Sequence, residues 1–158
     1  MKITSHTKVE TADPALKFAP VCRWTLHDKA VQRRLALRYA PGMNMRVSKE
    51  QTVCEWQGVS PEPPKKKTKL GIALGTLGKT PINGLRHQPE NGTNGWYIWC
   101  GSELPQDSDA FSPLHVEHIG EYFPETEEYL SLPPGFRFLI DGSNYEDVWF
   151  DESLLNSE

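Results

Sequence analysis

The sequence predicts an α+β domain in which an antiparallel sheet carries a few short helices, packed mainly on one face. Three observations support this prediction. Helical and strand-like segments alternate along the chain, an aromatic stretch at 96–100 is typical of a central strand, and two strand-like stretches near the C-terminus flank a turn. The length of 158 residues is close to the ~150 of one domain, so we expect a single domain over 1–158.

The N-terminal part contains the strongest helical pattern. DKAVQRRLALRY, 28–39, has Val31 and Leu35 one turn apart, and the Pro-Gly pair at 41–42 ends the helix. Residues 44–56 alternate weakly between apolar and polar types and predict one or two strands.

A connector rich in Pro and Lys, VSPEPPKKKTK at 59–69, follows these strands and is expected to be exposed. It divides the domain into an N-terminal helix and strand part, 1–58, and a C-terminal part, 70–155. The lysine run Lys65-Lys66-Lys67 is a candidate for nucleic-acid contact. It lacks interleaved aromatic residues, so a solvated linker explains it better.

The C-terminal part begins with an ambiguous stretch. LGIALGTLGKTPINGLR, 70–86, has leucines at helical spacing, but its glycines weaken the prediction of a helix. Pro81 ends any helix there, and Asn83-Gly84 indicates a turn. QPENGTNG, 88–95, predicts a loop.

The aromatic stretch WYIWC predicts a strand after this loop. Alternate side chains of a strand point to opposite faces. Trp96, Ile98 and Cys100 therefore share one face, and Tyr97 and Trp99 share the other. We expect this strand to lie centrally in the sheet.

The last third of the chain predicts two short helical turns and a β-hairpin. PLHVEHIGEYF, 113–123, predicts a helix, and Pro124 begins a second helical turn because proline suits the first helical position. The hairpin strands are 136–140 and 147–151, joined by a loop of several residues. The first hairpin strand places Phe136, Phe138 and Ile140 on one face and Arg137 and Leu139 on the other.

The charge is distributed unevenly. Residues 1–100 contain sixteen Lys and Arg against seven Asp and Glu, a net +9, whereas residues 101–158 contain fourteen acids against one Arg, a net −13. The two parts sum to the −4 of the whole chain. Such asymmetry indicates a charged partner, and ordinary solvated surface carboxylates are the alternative explanation.

A basic partner would be recognised by the acidic C-terminal half, since opposite charges steer association. Exposed aromatic side chains would serve as anchors; we expect Tyr122, Tyr145 and Trp149 to be available. The predicted partner-binding residues are Asp107, Asp109, Glu117, Glu121, Glu125, Glu127, Glu128, Tyr145, Glu146, Asp147, Trp149, Asp151 and Glu152.

Other features bear on the protein's location. The N-terminus has no apolar signal region, and no stretch approaches the ~18 apolar residues of a membrane span. We therefore expect a cytoplasmic protein. Its three cysteines, Cys22, Cys54 and Cys100, are widely spaced and odd in number, which agrees with a reducing compartment and predicts neither disulfides nor a zinc site.

Catalytic motifs are weak. His115, Glu117 and His118 are candidates for a metal site, but their spacing is not that of a zinc hydrolase, and a packed, hydrogen-bonded histidine is the favoured interpretation of His118. Cys100 with His115 as a base is a second candidate, although a cysteine on a half-buried strand face usually behaves as a small apolar residue.

No cofactor is predicted. The glycines at 71, 75 and 78 do not match either phosphate-binding spacing. Close approach of backbones explains these glycines better.

The C-terminal half resembles a known family. NGWYIWCGSEL is followed by an acidic spacer, a short helix, the turn YLSLPPG and a hairpin that ends in acidic and aromatic residues. This order, over about residues 93–155, is similar to the immunity protein thirty-three family of bacterial polymorphic toxin systems. The resemblance implies a small cytoplasmic antitoxin that binds and blocks a cognate toxin, and makes 70–155 the immunity-like part. Many such toxins are delivered between competing bacteria by secretion machines.

The functional hypothesis is thus a non-enzymatic immunity protein that occludes a toxin, with a basic nuclease as the expected target. One alternative is an adaptor or chaperone that escorts a basic secreted effector. A second alternative is a metal-dependent hydrolase that uses His115, Glu117 and His118. The family supplies no catalytic residues to carry over.

Overall fold

The fold is a six-stranded sheet with short helices, seen in a computed structural model that describes residue 46 and residues 48–156. The helix predicted over 28–39 lies outside these residues. The strand order is β4-β1-β3-β2-β5-β6. The strands are β1 (Lys69–Ile72), β2 (Ile82–Arg86), β3 (Thr93–Cys100), β4 (Ser112–His115), β5 (Phe136–Ile140) and β6 (Glu146–Phe150).

The helical elements are all short. The α-helices are α1 (Val53–Gln57) and α2 (Ile119–Tyr122), and the 3₁₀ turns are Leu74–Thr76, Ser108–Ala110, Val116–His118, Pro124–Tyr129 and Glu152–Leu155. Together with the sheet they form the predicted α+β architecture. None of the helices found among residues 48–156 has the length and hydrophobicity needed to cross a bilayer.

Strand pairing is antiparallel except between β1 and β3, which run parallel, so the sheet is mixed rather than wholly antiparallel. The exception follows from the chain path. After β1 the chain leaves a gap of one strand and forms β2, which runs in the opposite direction to β3. It then reverses and fills the gap between β1 and β2 as β3.

The two faces of β3 are buried under different layers, as the alternation in WYIWC predicts. Trp96, Ile98 and Cys100 pack in one core cluster, and Tyr97 and Trp99 pack in the other. We call the first the helical face, because residues of α1, α2 and Pro124–Tyr129 cover it. We call the second the loop face; Leu104, Phe111 and Leu154 cover it. The prediction that helices pack mainly on one face is therefore confirmed, as is the central position of the aromatic strand.

The hairpin predicted near the C-terminus is confirmed as β5 and β6, with β6 one residue earlier than expected. Phe136, Phe138 and Ile140 lie on the helical face, and Leu139 lies on the loop face. The alternation therefore assigned the faces of β5 correctly.

The helix predicted within 70–86 is wrong, because β1 and β2 occupy this stretch. The turn predicted at Asn83-Gly84 is also wrong, because both residues lie within β2. Gly84 is required there for space: the Phe138 ring lies where its Cβ would be. In the same way, a Cβ on Gly71 would lie 2.8 Å from the Tyr97 ring.

Three further boundaries differ from the predictions. The prediction of one or two strands over 44–56 is wrong for the described residues, 46 and 48–56, which contain turns followed by α1 and no strand. Thr52 and Glu55 form a capping box that begins α1, and Gly58 ends the helix at φ 68°. The loop predicted over 88–95 ends earlier, at the start of β3. The helix predicted over 113–123 begins as β4, so only its second half is helical.

The remaining local predictions are confirmed or refined. Pro124 does begin a helical turn, of the 3₁₀ type. The connector has no regular structure before β1 begins at Lys69, and most of its residues are exposed.

Candidate functional site: an acidic surface segment

The exposed carboxylates are most concentrated between residues 116 and 129, which we call the acidic segment. It contains five Glu, one His and no Lys or Arg. All five carboxylate residues are exposed: Glu117, Glu121, Glu125, Glu127 and Glu128. The segment therefore presents one sign of charge to solvent.

Apolar anchors between these glutamates fix the segment on the helical face. Ile119, Phe123 and Tyr129 are each less than 5% exposed and belong to the core cluster. Thr126 is fully buried, and its hydroxyl donates to the Phe123 carbonyl at 2.8 Å. Because the anchors point inward, the intervening glutamates must point outward.

A buried arginine neutralises one end of the acidic segment. Arg46 Nη1 donates to Glu128 Oε2 at 2.8 Å, and Arg46 Nε donates to Glu146 Oε1 at 2.9 Å. Its side chain is only 1% exposed, against 45% for Glu128. The hydrogen bond to Glu128 raises the pKa of Arg46, and burial opposes this effect. Arg46 thus joins the acidic segment to the start of β6.

Glu146 is part of this same network and is half-buried. Besides Arg46, it accepts a hydrogen bond from the Tyr129 hydroxyl at 2.6 Å. Burial and this hydrogen bond to a carboxylate raise the pKa of Tyr129. The carboxylate of Glu146 is therefore bound within the protein. The exposed glutamates of the acidic segment are the ones available to a partner.

The remaining predicted partner-binding residues lie elsewhere. Asp107, Asp109 and Glu152 are exposed on the segments that cover the loop face. Tyr145 is half-buried and packs against that face. The predicted set is therefore divided between the two faces of the sheet and is not one continuous patch.

Two of the predicted residues lie in the sheet interior. Trp149 is 9% exposed and Asp147 is 6% exposed, so the expectation that Trp149 is an exposed anchor is wrong. The Arg137 guanidinium lies 5.4 Å from the centre of the Trp149 ring and donates to Asp151 at 3.1 Å. Register explains why Trp149 and Asp147 face inward, because they pair with Arg137 and Leu139 of β5, which lie on the buried loop face.

The metal-site candidate does not assemble as the sequence suggested. His115 ends β4, whereas His118 ends a 3₁₀ turn, so the two do not share a helix face. His118 is exposed rather than packed, and its Nδ1 lies 2.8 Å from Glu121 Oε1. No cluster of three His, Cys, Asp or Glu suited to a metal ion occurs within the described part of the chain.

The cysteine candidate is buried. Cys100 is 3% exposed in β3, and burial raises the pKa of its thiol. A thiol in this state is a poor nucleophile. The glycines at 71, 75 and 78 lie in a strand, a 3₁₀ turn and a tight turn, so they do not form one phosphate-binding loop.

Sequence reasoning missed three basic side chains that organise the structure: Arg46, Arg86 and His87. No local pattern marks them, because their partners lie far along the chain. His87 Nδ1, for example, lies 3.1 Å from the carbonyl oxygen of Leu154. A carbonyl only accepts, so Nδ1 carries the proton in this contact.

His87 should make the protein less stable in mild acid. Burial lowers the pKa of His87 below its ordinary 6.5. The unfolded chain then binds more protons than the native state below about pH 6.5, so stability falls as the pH drops through that value. We expect the free energy of unfolding to fall between pH 7.0 and 5.5, and to fall less over this range in His87→Gln, which lacks the imidazole. Urea unfolding of both proteins at each pH measures it. If the free energy of unfolding fell equally with pH in the wild type and in His87→Gln, the acid-induced loss of stability could not be assigned to His87.

Comparison with known proteins defines the family. A family model described as an Imm33-like domain matches residues 49–151. The chain belongs to the Imm33-like family. The resemblance found over residues 93–155 is confirmed, and the matched region of the Imm33-like chain begins further upstream, before α1. Searches of curated proteins and of solved structures found no match.

Proposed function

We propose that this Imm33-like protein is a non-enzymatic immunity protein that binds a basic toxin through the acidic segment and blocks it. The observation that carries the proposal is the segment's one-sided charge: it contains five exposed glutamates and no Lys or Arg, and the binding of Arg46 to Glu128 still leaves negative charge in excess. Family membership supports the binding of a cognate toxin. The sign of the charge supports a basic target such as a nuclease, and the proposed site of action is the cytoplasm.

The acidic segment suits electrostatic recognition. Its glutamates lie on a scaffold whose anchors are buried, so little order must be gained on binding. Surface charges of one sign speed association with an oppositely charged partner, and screening by salt weakens the effect. Binding should therefore weaken as salt concentration rises.

A neutralisation experiment tests the function itself. The tagged full-length chain is used at low salt to capture proteins from its native bacterium, and each captured protein is expressed alone and with the chain. If the chain is an immunity protein, we expect it to capture one basic partner. This partner should stop growth when it is expressed alone and be harmless when the chain is expressed with it. A partner that is harmless alone would favour the adaptor hypothesis instead.

Charge reversal at Glu125 tests the role of the acidic segment. Glu125 is exposed and lies in the 3₁₀ turn Pro124–Tyr129. We expect Glu125→Lys to weaken toxin binding about tenfold at low salt, with a smaller effect at high salt, because it places repulsion at the interface. Titration calorimetry at two salt concentrations measures it.

Glu90 is the matched control. It is also exposed, and it lies in the loop between β2 and β3, outside the acidic segment. Glu90→Lys changes the net charge by the same amount as Glu125→Lys but leaves the acidic segment intact. It should therefore lower the affinity for the toxin far less. Equal losses for the two variants would mean that only net charge matters, and would contradict a localised acidic site.

A further inference from the structure

We propose that the outer edge of β6 is a second contact site, at which an extended basic segment of the toxin adds as a seventh strand. The proposal rests on the proposed function and deepens it. In the sheet, β4 and β6 are the two edge strands among the described residues. Exposed edges carry backbone groups ready to pair with another chain.

The β4 edge is blocked by proline. The Val116 amide donates to the Thr68 carbonyl at 3.1 Å, so the N–H and C=O groups of every second residue before it, Leu114 and Ser112, point toward β1. The backbone groups of Pro113 and His115 therefore point outward. Proline has no N–H, so this edge lacks a central donor.

The β6 edge has no such block. The Asp151 amide donates to the Gly135 carbonyl at 2.7 Å, and the Asp141 amide donates to the Tyr145 carbonyl at 3.2 Å. These bonds fix which residues of β6 pair with β5. The N–H and C=O groups of Val148 and Phe150 consequently point away from β5, toward the edge that no strand of the described residues covers.

Phe150 provides an apolar anchor on that edge. It is 52% exposed and, with Leu77, is one of two large apolar residues exposed among the described residues. Its ring packs edge-on against Phe136, with ring centres 5.4 Å apart. One half of the ring is thus held in place while the other half is open, as expected of an aromatic contact at an interface.

Charge determines which strand fits. β6 and its flanks contain the four acids Glu146, Asp147, Asp151 and Glu152, and no Lys or Arg follows Arg137 in the chain. Arg46 binds Glu146 and Arg137 binds Asp151, so these acids outnumber the two arginines that bind them, and Glu152 is exposed. A second copy of β6 would bring like charges side by side, which disfavours self-pairing. An extended segment with Lys or Arg has the complementary charge, and backbone bonds to Val148 and Phe150 would hold it.

Amide hydrogen exchange tests strand addition directly. The probe is the co-purifying protein that stops growth when expressed alone, bound to the full chain. We expect the Val148 and Phe150 amides to exchange at least tenfold more slowly in the complex than in the free protein. Unchanged exchange in a complex that still neutralises the toxin overturns the edge proposal and leaves the proposed function standing. If the chain neutralises no toxin, both the edge proposal and the proposed function are wrong.

Phe150→Pro provides the matching variant. It removes an outward N–H and the anchor without removing a hydrogen bond to β5, so the fold should persist. We expect at least tenfold weaker toxin binding, a smaller loss for Phe150→Ala, and none for Leu77→Ala, since Leu77 lies outside the sheet. Wild-type affinity of Phe150→Pro overturns the proposal. Concentration-dependent protection of these amides in the free protein, with dimers in light scattering, would instead assign the edge to self-association.

Discussion

Replacing Trp96 with alanine is expected to lower the free energy of unfolding by about 3–5 kcal/mol. Trp96 is fully buried at the centre of the helical face. Its indole Nε1 donates to the Leu130 carbonyl at 3.1 Å, and its ring centre lies 5.5 Å from that of Phe138. The substitution leaves a cavity and also removes the donor of a buried carbonyl.

Urea unfolding followed by circular dichroism measures this effect. Leu77→Ala is the control, because Leu77 is 42% exposed and its truncation should change stability by no more than about 0.5 kcal/mol. A loss below about 1 kcal/mol for Trp96→Ala would contradict the central role of this side chain in the core.

The same strand shows how far a sequence can predict this fold. The alternation in WYIWC assigned Trp96 and Tyr97 to opposite faces, because side-chain direction in a strand is fixed by backbone geometry alone. The hairpin at β5 and β6 was predictable for the same reason. These predictions needed no knowledge of any distant residue.

The strands β1 and β2 were not predictable in this way. Their glycines oppose strand formation locally, yet Gly71 and Gly84 are required because the rings of Tyr97 and Phe138 lie against them. The reason for a glycine at each position therefore lies on a neighbouring strand. The leucines around these glycines also happen to have helical spacing, which favoured the wrong prediction. Tertiary packing overrode local preference at both positions.

The candidate site was predicted in part. Counting charges located the acidic C-terminal half, and the acidic segment is its most concentrated region. Counting did not separate carboxylates that face solvent from those that satisfy buried arginines. Glu146 and Asp151 belong to the second kind, because Arg46 and Arg137 bind them. An exposed acid and a buried one are identical in composition, so only the structure distinguishes them.

The second large effect is expected at Arg86, the residue that joins three separate segments through backbone carbonyls. It is 3% exposed, and burial lowers its pKa. Its Nη1 donates to the carbonyls of Glu62, at 2.7 Å, and of Leu132, and its Nε donates to the Asn94 carbonyl at 3.2 Å. Its guanidinium also lies 5.8 Å from the centre of the Trp96 ring.

Arg86→Ala is expected to lower the free energy of unfolding by about 3–5 kcal/mol, because each buried acceptor that loses its donor costs about 1–3 kcal/mol. The gain from no longer burying a charge offsets part of the loss. Arg86→Lys should fall between Ala and wild type, since a single ammonium lacks the fork that reaches several carbonyls at once. Urea unfolding of these variants, with the exposed Lys66→Ala as control, measures the series. Arg86→Ala within about 0.5 kcal/mol of wild type would show that these three segments hold together without Arg86.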